Sequence, residues 1–164
     1  MDHLWSPWRM EYLGSAKEEP DGGCVFCAML DRPADDPEAR ILARGDRAFV
    51  TLAKYPYNPG HLLVLPLRHV GDLEALTPED NGEVSELLQR CLRALRAESD
   101  PHGFNIGLNL GRTAGAGIPD HLHWHVVPRW GGDTNFMPVV GETRVLPQLL
   151  EDTYRRLLPR FEAV

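Results

Sequence analysis

The chain has 164 residues, 43% hydrophobic and 25% charged, a composition that excludes a disordered or fibrous protein and predicts one globular domain over residues 1–164. Seventeen Lys and Arg against 24 Asp and Glu give a formal charge of -7, which argues against nucleic acid as a partner and leaves room for a small anion at a local cluster. No run approaches the roughly 18 apolar residues of a membrane span, and Met1–Trp5 lacks the basic and apolar regions of a signal peptide, so a cytoplasmic protein with no membrane partner is expected.

Residues 1–40 read as an N-terminal arm and knuckle, with Trp5, Pro7 and Trp8, the pair Cys24-Val-Phe-Cys27, and a Pro- and Asp-rich surface loop over 31–37. Three cysteines are not the even, dispersed set of a disulfide scaffold, so the pair predicts a metal knuckle or a redox dithiol. Ala48 to Leu52 and Leu62 to Leu65 are apolar runs of strand length. The turn formers between them, in Lys54-Tyr-Pro-Tyr-Asn-Pro-Gly60, predict an antiparallel pair. Thr77-Pro78-Glu79-Asp80 supplies a cap, a first-turn proline and early acids for a helix. Its buried stripe runs through Val84, Leu87, Leu88, Cys91, Leu92 and Leu95, which places Cys91 in the core.

Two further strands are expected, Phe104 to Leu110 and His121 to Val127, joined by Gly111-Arg-Thr-Ala-Gly-Ala-Gly117. An irregular stretch over 131–135 follows, and Leu146, Leu149, Leu150, Leu157 and Phe161 then predict a C-terminal helix. Strands, helix, strands and helix with hairpin-length connections make an α+β domain around an antiparallel sheet.

The chemistry concentrates in His121-Leu-His-Trp-His-Val-Val127. Period two on a strand sends His121, His123 and His125 to one face and Leu122, Trp124 and Val126 to the other. A row of imidazoles serves two chemistries. One imidazole can attack phosphorus and carry the transferred group as a phosphoramidate while its neighbours orient the substrate and donate protons. Alternatively, three imidazoles can hold a catalytic metal with one open position, as in a His3 metallohydrolase. Arg112 and the glycines 111, 115 and 117 suit a phosphate held by backbone N–H groups and favour the first. A non-catalytic nucleotide-binding module is a further alternative.

The pattern resembles the histidine triad superfamily of nucleotide hydrolases and transferases. Asn58-Pro-Gly-His-Leu-Leu-Val-Leu-Pro66 is similar to that family's Pro-Gly-His strand, and Phe104-Asn-Ile-Gly-Leu-Asn-Leu-Gly111 to its penultimate strand. With Trp5-Ser-Pro-Trp-Arg9 and Gly131-Gly-Asp-Thr-Asn-Phe136, these segments resemble the branch that cleaves diadenosine tetraphosphate by phosphorolysis or hydrolysis. The resemblance implies an antiparallel sheet with one long helix and a C-terminal helix. It also implies nucleotidyl transfer from a dinucleoside polyphosphate to phosphate or water. His123 would be the nucleophile that accepts the nucleoside monophosphate, His125 would contact the phosphate and help the leaving group depart, and His61 would orient the catalytic imidazoles. Asn109, Gly115 and Gly117 would bind substrate with His125. Hydrolysis of nucleoside phosphoramidates is the runner-up.

Two positions depart from the family pattern. Ala53 stands where relatives carry an Asn or Asp for the ribose, and it has no side-chain hydrogen bond to offer. Ala116-Gly117-Ile118 replaces a polar pair, so phosphate contacts from that loop fall to the backbone.

By the same resemblance, Cys24 and Cys27 would complete a structural zinc site with His69 and His121, and no organic cofactor is implied. Family members commonly pair two domains into a continuous sheet, which implies a homodimer or a higher homo-oligomer. His3 and His102 are assigned to the surface. Trp5, Trp8, Trp130, Tyr55, Tyr57 and Phe49 are open to stacking on adenine or to core packing, and Lys54, Arg9 and Arg129 to a polyphosphate.

Overall fold

The computed structural model describes residues 23–33, 36–133 and 148–162. Five strands form one antiparallel sheet: β1 (Ile41–Arg44), β2 (Ala48–Leu52), β3 (Leu62–Pro66), β4 (Gly103–Leu108) and β5 (Trp124–Arg129), in the order β1-β2-β3-β5-β4. Among the described residues the helices are α1 (Val25–Leu30), α2 (Pro78–Ser99) and α3 (Leu150–Glu162). This is the expected α+β architecture, and the expected pairing of β2 with β3 is antiparallel, with Val50 opposite Val64.

Alternation along the strands builds two cores. Val50, Leu52, Leu62, Val64 and Val126 face α2 and α3. Phe49, Leu63 and Leu65 face the other way and pack with Phe26 of α1. Both sheet faces are therefore covered, which is why β2 and β3 read as continuous apolar runs with every residue buried.

The long helix starts where its signals stand. Thr77 Oγ1 accepts from the Asp80 N–H at 3.2 Å, and the Asp80 carboxylate accepts from the Thr77 N–H at 3.1 Å, a complete capping box with Pro78 in the first turn. Cys91 is fully buried, and desolvation pushes its thiol far above the ordinary range, so it is packing and not chemistry.

Three local expectations change. The segment around the cysteine pair was expected to be irregular, yet Val25–Leu30 is helical and buries Phe26, because that face closes the second core. Strand β1 went unpredicted: four residues with a bulge between Ile41 and Ala43 carry little period-two signal. In the C-terminal helix Leu157 and Phe161 are buried, but Leu149 stands outside the helix and is 69% exposed. Leu146 lies outside the described residues.

Candidate active site and metal centre

The expected strand His121 to Val127 begins only at Trp124, so His121 and His123 precede β5 and His125 lies on it. The row survives as a line of neighbours without strand hydrogen bonding at its first two members, and this difference separates their tasks.

His121 is fully buried. Its Nε2 lies 2.9 Å from the carbonyl oxygen of Pro66, which can only accept, so the ring proton sits on Nε2 and the Nδ1 lone pair faces away. Nδ1 is 3.4 Å from Cys24 Sγ and 3.7 Å from Cys27 Sγ, and Cys27 Sγ is 3.5 Å from His69 Nδ1. These four ligand atoms lie within 4.8 Å of one another and could hold a metal ion. The helix α1 makes the cluster possible, since its turn brings Cys24 and Cys27 to the same end. Burial and then the neighbouring Cys24 push the Cys27 thiol up, and a cation would supply the charge that favours thiolates.

His123 is buried to 6% exposure, and Nδ1 lies 2.8 Å from the carbonyl oxygen of His121. The carbonyl again dictates the tautomer: Nδ1 carries the proton and Nε2 keeps its lone pair. Burial lowers the pKa of His123, only partly offset by that hydrogen bond, so the ring is neutral at pH 7. The His123 and His125 rings are 5.2 Å apart in an edge arrangement.

His125 is set in register between Leu63 of β3 and Gly107 of β4. A side chain at Gly107 would meet nothing within 4 Å, so the strand leaves open space beside His125. His61, 2% exposed, brings Nε2 to 3.0 Å from His125 Nδ1. The turn before it is pinned: Asn58 Nδ2 donates to the Pro128 carbonyl at 2.9 Å and to the Asp133 carboxylate at 2.8 Å. Gly60 has φ +81°, a backbone conformation that favours glycine, and a Cβ there would stand 3.0 Å from a Leu95 methyl, a tight contact. Asp133 also accepts from Arg129, which holds its carboxyl well below the usual range.

The row thus divides into a metal-cluster ligand, a neutral imidazole with its Nε2 lone pair available and a paired imidazole. It does not converge on one metal as the His3 alternative requires. Among the described residues, the candidate metal group contains His121 and neither His123 nor His125.

The other expected site residues are placed as follows. Asn109 is half-buried just after β4, one step beyond the pairing of Leu108 with Trp124. Gly115 adopts φ +94° in the turn that ends the 3-10 segment Arg112–Ala114. The Gly115 amide donates to Arg112 at 3.0 Å and the Ala116 amide to Gly111 at 3.2 Å, so these two N–H groups close the turn. Gly117 follows it, half-buried. Ala53 is buried among Phe26, Leu63 and Leu65.

Phe49 is fully buried and cannot stack on a base, and Arg129 is committed to Asp133 and Asn105. Trp130 donates its indole N–H to Ser99. Lys54 is exposed, 5.5 Å over the Tyr55 ring. His102 is exposed, as expected, and accepts from the Gly131 N–H at 2.8 Å. Trp5, Trp8, Arg9 and His3 lie outside the described residues.

Two neighbours of the row had not been assigned to it. The Phe26 ring lies 5.4 Å from both His121 and His123. The Tyr57 ring stacks on His61 at 4.8 Å and on His125 at 5.8 Å. The only local signals were their positions, between two cysteines and four residues before His61.

The HIT domain model matches residues 35–132, more than half of the chain. A Mycobacterium tuberculosis protein named AP-4-A phosphorylase is 46% identical over 162 residues, 96% of this chain and 83% of its own length. Among solved structures, a zinc-bound histidine triad family protein from Mycobacterium smegmatis superposes with a TM-score of 0.67 and 30% identity, covering 86% of this chain and 94% of that one. A HIT family protein from Bacillus anthracis gives a TM-score of 0.60 and 30% identity over 68% of this chain and 77% of its own. Sheet order, histidine row and sequence agree, and the chain belongs to the histidine triad (HIT) family.

Proposed function

We propose that the protein is a nucleotidyltransferase that cleaves dinucleoside polyphosphates, diadenosine tetraphosphate foremost, through a covalent nucleotidyl-His123. The observation that carries this reading is the His121 carbonyl on Nδ1 of His123, which leaves Nε2 as a neutral, correctly polarised nucleophile. Nε2 forms a bond to the phosphorus of one adenylyl group, and the P–O bond to the departing ATP breaks with its electron pair on that oxygen. Inorganic phosphate then attacks the same phosphorus, the P–N bond breaks, and ADP leaves. Phosphate as acceptor is supported by the 46% identity to a protein named AP-4-A phosphorylase. His125 hydrogen-bonds the transferred phosphate and eases departure, and His61 orients it. Asn109 and Gly117 are read as lining the phosphate end, whereas the Gly115 amide, also expected there, is spent on the Arg112 carbonyl and shapes the turn instead.

The cysteine and histidine cluster is read as a structural zinc site. Tetrahedral bonds of about 2.3 Å to sulfur and about 2.0 Å to nitrogen imply S···N edges of about 3.5 Å. Three of the four S···N separations, 3.4, 3.5 and 3.7 Å, bracket that value, and all four ligand atoms lie within 4.8 Å of one another. A closed Cys2His2 set leaves no open position for chemistry, so the metal would hold α1 and His121 in place. We also propose a cytoplasmic homodimer that pairs through β4, an edge of the sheet whose Ile106 is 46% exposed, with Leu110 just beyond it 45% exposed.

A product assay with diadenosine tetraphosphate, with and without inorganic phosphate, tests the reading. ADP and ATP appearing only with phosphate is the expected result. ATP with AMP makes water the acceptor, and no turnover with any dinucleoside polyphosphate overturns the proposal.

A further inference from the structure

We propose that Tyr57 is a positioning residue for the transfer reaction, holding the His61–His125 pair in one arrangement through its backbone N–H and its ring together; the reaction meant is the one proposed above. The Tyr57 N–H donates to His61 Nδ1 at 3.1 Å. A nitrogen that accepts from an amide carries a lone pair, so the His61 proton is on Nε2, where it donates to His125 Nδ1 at 3.0 Å. His125 is left with its own proton on Nε2, the edge turned away from His61. One backbone amide therefore selects the tautomers of two imidazoles in series and makes His125 a donor toward substrate.

The ring does the complementary task. It lies over His61 with an interplanar angle of 24° and over His125 with 25°, nearly parallel to both. The second side-chain torsion of histidine is broad and roughly two-fold, so an imidazole held only by hydrogen bonds can rock or flip. A planar ring stacked across two imidazoles opposes that rotation in both at once. Phe26 sits beside His123 at 5.4 Å, so aromatic rings contact the row at both ends.

Tyr57 belongs to neither hydrophobic core and is 38% exposed. Its backbone is held independently, because Asn58 is anchored to Pro128 and Asp133. Shortening the side chain removes the stack, while the Asn58 anchors still hold the turn.

The experiment compares Tyr57→Leu and Tyr57→Phe in the full chain, by kcat and KM for diadenosine tetraphosphate and by imidazole nitrogen NMR of the substrate-free protein. Leucine is expected to lower kcat about tenfold or more with KM within about threefold, since geometry and not affinity is lost. Phenylalanine keeps ring and amide, and is expected to recover most of kcat. The spectrum of the unsubstituted protein should show His61 and His125 each protonated on Nε2, with broadened or mixed signals in Tyr57→Leu and not in Tyr57→Phe. A leucine variant with normal kcat and an unchanged imidazole spectrum overturns the proposal, as does a phenylalanine variant as impaired as leucine. Should the unsubstituted protein cleave no dinucleoside polyphosphate while the leucine spectrum still changes, the positioning of the pair stands and the substrate reading falls.

Discussion

His121 and His123 are joined by a single hydrogen bond that sets their different tasks: the His121 carbonyl accepts from His123 Nδ1 at 2.8 Å, while the His121 side chain turns its own Nδ1 to the cysteine pair. The same residue thus anchors a metal cluster through its ring and polarises the neighbouring imidazole through its backbone. Displacing His121 is expected to disturb both.

Replacing His123 with Asn removes Nε2 and keeps a polar side chain of related size. Activity should fall by about four orders of magnitude, the scale set by losing a covalent nucleophile, while substrate binding persists. Rapid quench with labelled substrate and peptide mapping checks the assignment. Label found on His125 or His61, or near-normal turnover in His123→Asn, contradicts it.

The pH profile follows from burial. The His123 pKa is lowered from its ordinary 6.5, so the nucleophile stays neutral through pH 7 and gains a proton only in more acidic solution. The value of kcat/KM in the free enzyme should therefore be flat near neutrality and fall with acid through a pKa below 6.5. A midpoint above 7 would contradict a desolvated His123.

Metal content tests the cluster. One zinc per chain is expected by elemental analysis after purification without chelators, and Cys24→Ser or His69→Ala should lose it with a lower melting temperature, because a metal bound only to the native state adds to folding free energy. Metal-free protein with both thiols freely titratable would remove zinc from the description.

Asp80 carries an acid-sensitive part of stability. The Thr77 backbone N–H, then Arg68 and Arg47, hold its carboxyl down at about 2 against burial that opposes them. A lowered carboxylate pKa contributes stability that is fully present above the unfolded value near 4 and is lost as pH falls through about 2. Asp80→Ala should cost about 2 kcal/mol at pH 7, read by urea unfolding, through the lost capping box and ion pairs. The difference from the unsubstituted protein should shrink as pH drops below 4. A pH-independent difference would point to packing.

The dimer is checked by light scattering at micromolar concentration. At least twice the chain mass is expected for the unsubstituted protein and a shift toward lower mass for Ile106→Lys, which places a charge on the exposed β4 edge. A monomer in both cases removes the sheet-pairing proposal.

Much of this molecule is legible in local pattern. The helix from Pro78 was readable because its cap, proline and buried stripe all lie within one segment. Strands β2 and β3 were readable because unbroken apolar runs bounded by turn residues have few other uses. The triad and its resemblance identified the family, and the four cluster residues Cys24, Cys27, His69 and His121 were named by resemblance before geometry brought them together. Tertiary structure alone decided the rest: which imidazole carries its proton where, which loop amides are already spent, and which rings touch the row. Each depends on a partner distant along the chain, such as Pro66 for His121, 55 residues away, or His61 for His125, 64 residues away. Local propensity and period describe a residue's own segment and which face it occupies. The tautomer of an imidazole is set by the atom that happens to meet it, and that atom is supplied by the fold.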